Sequence, residues 1–217
     1  MNYDSVPLRD FKELNDWETV IFVYQSALKQ IETKINILNG EFQHRHKYNP
    51  IEHVKSRIKT PESIVKKLKR HGYESSIENM VRYVNDIAGI RISCSFTSDI
   101  YLIADMISKQ NDLTILARRD YMKNPKKSGY RSYHMLVTTP VFLSDSIIDT
   151  KVEIQIRTVA QDFWATLEHK MHYKFEGDGP DYITTELREC ARYVAELDAR
   201  MEELNNEIQK YGKKNPL

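Results

Sequence analysis

The sequence predicts an α/β (α+β) fold: a mixed β-sheet of about five strands flanked by helices, organised as a single domain over residues 1–217. Three observations predict it. Apolar residues recur at helical spacing near both ends of the chain. The middle switches to apolar, β-branched runs separated by turn residues and short helical patterns. No internal repeat, low-complexity tract or Gly/Ser/Pro-rich linker divides the two regimes.

Taken in order, Leu14, Trp17, Ile21, Tyr24, Leu28, Ile31, Ile35, Leu38 and Phe42 fall three or four residues apart, which predicts an amphipathic N-terminal helix over 10–46, with Gly40 weakening its end. Pro61 suits a first helical turn, and a short basic helix over 62–71 ends at Gly72. IAGIRISCSF, residues 87–96, is apolar and β-branched on one parity and reads as a strand. A helix is expected over 98–110, strands near 113–121, 132–139 and 150–157, and a further helix over 159–173. The C-terminal helix, over 181–211, repeats the heptad with Ile183, Leu187, Cys190, Val194, Leu197, Met201, Leu204, Ile208 and Tyr211, and Gly212 with Pro216 is expected to terminate it. Each heptad seam has two readings, packing on the domain's own core and oligomerisation.

Composition excludes several classes. With 41% apolar residues and 29% charged, the chain is an ordinary globular protein of a length that needs no metal or disulfide staple. Two cysteines, Cys94 and Cys190, cannot make a disulfide framework or a four-cysteine zinc site within one subunit, which points to a reducing, cytoplasmic setting. No basic-then-apolar leader and no long uncharged apolar run is present, so neither secretion nor a membrane span is expected. Formal net charge is +1, but it is unevenly spread. Residues 45–71 carry nine Lys and Arg against two Glu, residues 118–131 carry six against Asp120 alone, and residues 176–207 carry ten acidic residues against three Arg. Two basic stretches meeting at one cleft suit a small polyanion, whereas a grip on long nucleic acid calls for an overall excess of positive charge.

Four constellations carry candidate chemistry. In SRIKTPESIVKKLKR, Arg57, Lys59, Ser63, Lys66 and Lys67 surround a helix start, and guanidinium forks, ammonium charges and free helix N–H groups all suit phosphate. Asp86, just before one apolar strand, and Glu153, within another, are carboxylates where an unpaired charge is costly; on neighbouring strands they would hold Mg²⁺ beside substrate phosphates, with one free to take a proton. KNPKKSGYRSYH sets Lys126, Tyr130, Arg131 and His134 around a glycine turn, which fits phosphates on the cations and a base on the ring, or equally a basic hairpin with core tyrosines. In EIQIRTVAQDFWATLEHKMHYK, Asp162 can accept from guanine N1–H and its exocyclic amine. Glu168, His169 and His172 offer a weak metal reading, and Trp164 reads as core.

DIAGIR, SGYRSYH, and EIQIRT followed by FWATLEH, in this order and spacing, resemble the synthetase domain of the RelA/SpoT family, and in particular its stand-alone small alarmone synthetases. The resemblance is dense over 51–174 and continues into both terminal helices. It implies a nucleotidyltransferase-like synthetase fold, a homotetramer, and transfer of the β,γ-pyrophosphate of ATP to the 3′-hydroxyl of GDP or GTP, giving AMP and ppGpp or pppGpp. By position, it implies that Arg57 and Arg91 clamp adenine and that Lys59, Ser63 and Lys67 hold the ATP phosphates. Asp86 and Glu153 would bind Mg²⁺, Glu153 also activating the attacking hydroxyl. Arg119, Lys126 and His134 would take the acceptor's phosphates, Tyr130 would stack on guanine, and Gln155 and Asp162 would line that pocket.

Departures refine the expectation. No segment precedes the synthetase region that would house the family's hydrolase domain, so alarmone breakdown is not expected. Asp162 stands where many relatives carry asparagine. IEHVKSR, with His53, resembles the RelP-like subgroup rather than the RelQ-like one, which makes activation by pppGpp unexpected. Two rivals remain: a tRNA 3′-end pyrophosphokinase on the same scaffold, disfavoured by the near-neutral net charge, and a non-enzymatic nucleotide or RNA sensor, disfavoured by the presence of both Asp86 and Glu153.

Overall fold

The structure, a computed structural model, describes residues 16–46, 48–174 and 181–214, side chains of 172–174, 181 and 212–214 excepted. Helix α1 spans Trp17–His46, and Asp16 caps it, its carboxylate accepting from the Thr19 N–H at 2.7 Å. Residues 10–15 of the expected helix lie outside the described residues. Gly40 does not stop α1, which continues six residues beyond it; a solvent-facing glycine costs only about 1 kcal/mol. The expected seam turns inward. Val20, Val23, Tyr24, Ala27, Leu28, Ile31 and Ile35 are buried, each worth roughly 1.5–3 kcal/mol if large and apolar, and α1 lies across the sheet.

The sheet has five strands in the order β1-β2-β5-β4-β3: β1 Ile51–Ile58, β2 Ala88–Cys94, β3 Thr114–Asp120, β4 Tyr133–Phe142 and β5 Ile147–Thr158. The two central strands, β2 and β5, run parallel, and every other pair is antiparallel. Their apolar parities, Ile90 and Ile92 on β2 with Val152, Ile154 and Ile156 on β5, are fully buried. Between the strands lie α2 (Pro61–Arg70), α3 (Ile77–Tyr83) and α4 (Thr97–Ser108). Thr60 caps α2, with Pro61 at its first position, and Gly72 follows at φ +77. Among the described residues no helix is long and apolar enough to cross a membrane.

Strand β1 and helix α3 carry no expectation from the periodicity. β1 reads IEHVKSRI and is exposed at five of its eight positions, because it is an edge strand paired only with β2. Helix α3 is seven residues long, too short for a seam to repeat, and is set by its Ser76 cap, which accepts from the Asn79 N–H at 3.2 Å.

Helices α5 (Val159–Lys174) and α6 (Asp181–Lys214) pack on each other. Helix α6 runs through Gly212 rather than ending at 211, since a last-turn glycine in solvent is a weak stop. Its heptad divides in two. Val194 packs, beside the buried Ala191, against Trp164 and Ala165 of α5, while Leu197 and Ile208 are 57% and 67% exposed. Between β3 and β4, residues 126–130 form a loop resting on α6: Gly129 has φ +90, and a Cβ there would stand 2.5 Å from the Cβ of Ala191. Gly129→Ala therefore combines backbone strain with overpacking and should cost about 2–4 kcal/mol, read as a lowered urea midpoint at unchanged slope; adding Ala191→Gly should return only the part due to the clash.

Candidate active site

Strand register assembles one polar face. Lys55, Arg91, Gln155, His134 and Arg119 stand opposite one another across all five strands, a single row from edge to edge. Two residues along, Arg57, Gly89, Glu153 and Leu136 make a second row, and the two-residue step puts both rows on the same face. Gly89, lacking a side chain, leaves the floor open between Arg57 and Glu153.

Asp86 closes the segment that joins α3 to β2, and two ammonium groups reach it. Lys59 Nζ lies 2.9 Å from Oδ2, and Lys67 Nζ, from α2, lies 2.7 Å from Oδ1. Burial pushes this carboxyl up, but Lys67 and Lys59 outweigh it and hold it below the usual carboxylate range. Glu153 accepts from Gln155 Nε2 at 2.8 Å and faces His134 Nδ1 at 3.4 Å. Burial raises it, and His134 with Gln155 brings it below its ordinary value. Both carboxylates are thus held in the charged form.

Two cavities flank them and share them. One, of about 300 Å³, is lined by Lys55, Arg57, Arg91 and Gln155 together with Asp86 and Glu153. The other, of about 180 Å³, is lined by Lys67, Asn85, Arg119 and His134 together with the same two carboxylates. Asp86 and Glu153 therefore stand at the junction of two basic basins. The two carboxylates are hard oxygen donors suited to a small divalent cation that also takes substrate phosphates, and the one nearby imidazole, His134, turns its Nδ1 to Glu153.

The loop after β3 closes the second side. Lys126 Nζ sits 4.6 Å from the Tyr130 ring centroid and 5.0 Å from that of Tyr121, and the Tyr130 hydroxyl is 2.9 Å from His134 Nε2. Burial raises the Tyr130 phenol. Beyond it, Asp162 of α5 pairs with Arg91 at 3.3 Å and Arg157 at 3.7 Å.

Of the expected site residues, Arg57, Lys59, Lys67, Asp86, Arg91, Arg119, His134, Glu153 and Gln155 come together around the two cavities. Lys126 and Tyr130 adjoin them through His134. Ser63 does not line either cavity: it is exposed in the first turn of α2, its N–H donating to Thr60 Oγ1 at 3.4 Å. Gln155, expected beside the acceptor residues, lines the cavity of Arg57 and Arg91, and Asp162 is drawn to the same side by Arg91. Among the described residues no cluster of three or more His, Cys, Asp or Glu is placed to hold a metal. Glu168 and His169 lie on α5, and the His172 side chain is outside the described residues.

Several site residues were not anticipated. Arg157 is 2% exposed, donates to Gln155 Oε1 at 2.7 Å and lies 5.4 Å from the Tyr130 ring. Burial lowers its guanidinium from the ordinary value. Lys151, buried on the same strand, is pulled down to about 8 by burial, and Asn85 precedes Asp86 in the cavity wall. The signal was present in KVEIQIR, whose polar residues alternate at period two; parity alone places Lys151 and Arg157 on the face of Glu153.

Residues 56–178 match the family described as "Region found in RelA / SpoT proteins". The chain belongs to the RelA/SpoT family. Within it, GTP pyrophosphokinase YwaC from Bacillus subtilis is 45% identical over 195 residues, covering 90% of this chain and 93% of that one. The crystal structure of small alarmone synthetase 1 from Bacillus subtilis bound to its product pppGpp superposes with a TM-score of 0.83 at 34% identity, covering 89% of this chain and 98% of that one. The same synthetase bound to AMPCPP gives a TM-score of 0.77 at 32% identity, with 89% and 98% covered. The mixed five-stranded sheet with flanking helices is the fold these family members share.

Arg157 is the buried hinge of the polar face. Arg157→Met should destabilise the protein by about 1–3 kcal/mol by equilibrium urea unfolding, because it leaves Gln155 Oε1 without its donor and Asp162 with Arg91 as its remaining cation.

Proposed function

We propose that this protein is a (p)ppGpp synthetase, which transfers the β,γ-pyrophosphate of ATP to the 3′-hydroxyl of GDP or GTP and releases AMP. One observation carries the reading: two basic cavities share Asp86 and Glu153 at their junction, as a donor and an acceptor nucleotide meeting at the reacting phosphorus require. Family relatives named for GTP pyrophosphokinase activity, and one bound to pppGpp and to AMPCPP, support the same substrates.

ATP occupies the cavity of Arg57 and Arg91, whose guanidiniums clamp adenine. Lys59 and Lys67 take its phosphates, exchanging Asp86 for phosphate oxygens. Asp86 and Glu153 would hold Mg²⁺, which would supply charge neutralisation at the transferred phosphates. GDP or GTP lies on the other side, with Arg119, Lys126 and His134 on its phosphates and Tyr130 against the guanine. Gln155 and Asp162 reach the base from between the cavities. Asp162 Oδ1 is buried against Arg91 and Arg157, which hold the carboxylate in place. Glu153, ionised and fixed by Gln155 and His134, accepts the 3′-hydroxyl proton as O3′ bonds to Pβ and the bond from Pβ to the α,β-bridging oxygen breaks; that oxygen leaves on AMP.

The finer assignments belong to the same proposal. The protein acts in the cytoplasm, needs neither membrane nor nucleic acid, is RelP-like on the strength of IEHVKSR, and forms a homotetramer through the exposed apolar stripe of α6, Leu197, Met201, Leu204 and Ile208.

Chromatography of reactions with ATP, Mg²⁺ and either GDP or GTP should show AMP appearing in step with the 3′-pyrophosphorylated product. EDTA, Asp86→Ala and Glu153→Gln should each lower the rate by at least about 100-fold, with AMPCPP binding by Glu153→Gln kept within about tenfold by calorimetry. A near-normal rate in Glu153→Gln would remove that residue from the chemistry, and product formed only on tRNA would move the acceptor to the 3′ end of RNA.

A further inference from the structure

Among the described residues, Lys151 and Arg157 are the buried cations of the polar face that the transfer itself does not use, and of the two Lys151 has no carboxylate partner. It stands two residues before Glu153 on β5 and is 5% exposed. Its ammonium makes two hydrogen bonds, to Asn85 Oδ1 at 2.7 Å and to the Arg82 main-chain oxygen at 3.1 Å. Both acceptors are uncharged. An ammonium buried against neutral oxygens is a costly choice for a position that a methionine of similar length would fill, so stability does not account for it.

Its location does. Arg82 and Asn85 bracket the short connection from α3 to β2, and Asp86 follows at once. From the other side, the Lys59 N–H donates to the Ile87 oxygen at 2.8 Å. The connection is therefore pinned on one flank by β1 and on the other by Lys151. Asn85 lines the cavity of Arg119 and His134. With its Oδ1 committed to Lys151, its NH₂ end is the one left to face phosphate or ribose oxygens.

We propose that Lys151 is a positioning residue of the catalytic centre: it fixes the 84–86 segment, and with it the Asp86 carboxylate and the Asn85 amide, against the acceptor cavity. This rests on the pyrophosphate-transfer reading for its kinetic consequence, and on geometry alone for its structural one.

Lys151→Met tests both. The variant is expected to shift Tm by no more than a few degrees, because removal of a buried charge offsets the two oxygens, Asn85 Oδ1 and Arg82 O, left without a donor. Hydrogen exchange read by mass spectrometry should speed up by about tenfold in the peptide covering 83–87 and stay unchanged in the strands. Turnover should fall by about 10- to 100-fold with KM for ATP within about twofold, the pattern of misplaced reacting groups rather than lost binding. Asn85→Ala, which leaves the ammonium in place, should lose turnover as well, and the double variant should be no worse than Lys151→Met alone. A Lys151→Met rate within about twofold of wild type would overturn the proposal. So would a Tm lowered by more than a few degrees with exchange faster throughout the sheet, which would make Lys151 a determinant of the fold. Wild-type protein inactive on both acceptors would count against the transfer reading instead, and local exchange at 83–87 would then decide the role of Lys151.

Discussion

The central strand β5 carries Lys151, Glu153, Gln155 and Arg157 on one face, in the middle of a five-stranded sheet, and polar groups so placed must find partners or unfold the strand. They find them chiefly in one another. Arg157 donates to Gln155, Gln155 donates to Glu153, Glu153 faces His134, and Lys151 turns outward to the chain that delivers Asp86. Satisfying the strand and assembling the site are thus one requirement. Each side chain that chemistry needs is fixed by a neighbour that burial needs, so the groups have little freedom to lose when substrates arrive.

Electrostatics follows from that arrangement. The cleft concentrates cations, yet its two carboxylates stay ionised because each is compensated locally, Asp86 by two ammoniums and Glu153 by an amide and an imidazole. Lys59 and Lys67 matter most here. Here they neutralise Asp86, and on the proposed function a triphosphate would compete for the same two donors, so that the charge entering with the nucleotide would displace a charge pair rather than meet an empty cationic pocket. Phosphoryl-type transfer depends on such placement more than on covalent chemistry by the protein.

What the sequence conveyed and what it withheld divide along a physical line. Elements with one buried face and enough length to repeat, α1, β2, β5 and α6, were legible from periodicity. β1 was not, because its three apolar residues, Ile51, Val54 and Ile58, are interrupted by a bulge after Ile51 and by Ser56, and α3 was not, because seven residues held by a serine cap show no period. The carboxylates were legible as charges in apolar strands. Lys151 and Arg157 sit in the same strand and follow the same parity, but a cation beside a carboxylate reads as a solvated pair until the sheet places it in the interior. Asn85 had no signal in the sequence at all, since its role comes from a lysine 66 residues away.

Helix α6 joins two surfaces that the sequence treated as one seam. Its heptad residues Cys190, Leu197, Met201, Leu204 and Ile208 face solvent, while Ala191, Val194 and Asp198 beside them face α5 and the end of the sheet. On the inner half, Trp164 Nε1 donates to the Leu187 oxygen at 3.0 Å, Arg188 Nε donates to the Lys127 oxygen at 3.1 Å, and Ala191 meets Gly129 without room for a methyl group. Further along, Asp198 accepts from Thr158 and Gln161, locking α6 to the end of the catalytic strand. Helix α6 thus presents an apolar stripe to solvent on one side and with the other sets the height of the loop carrying Lys126 and Tyr130. On the proposed function, a subunit docked on that stripe would bear on the same element that shapes the acceptor side of the site.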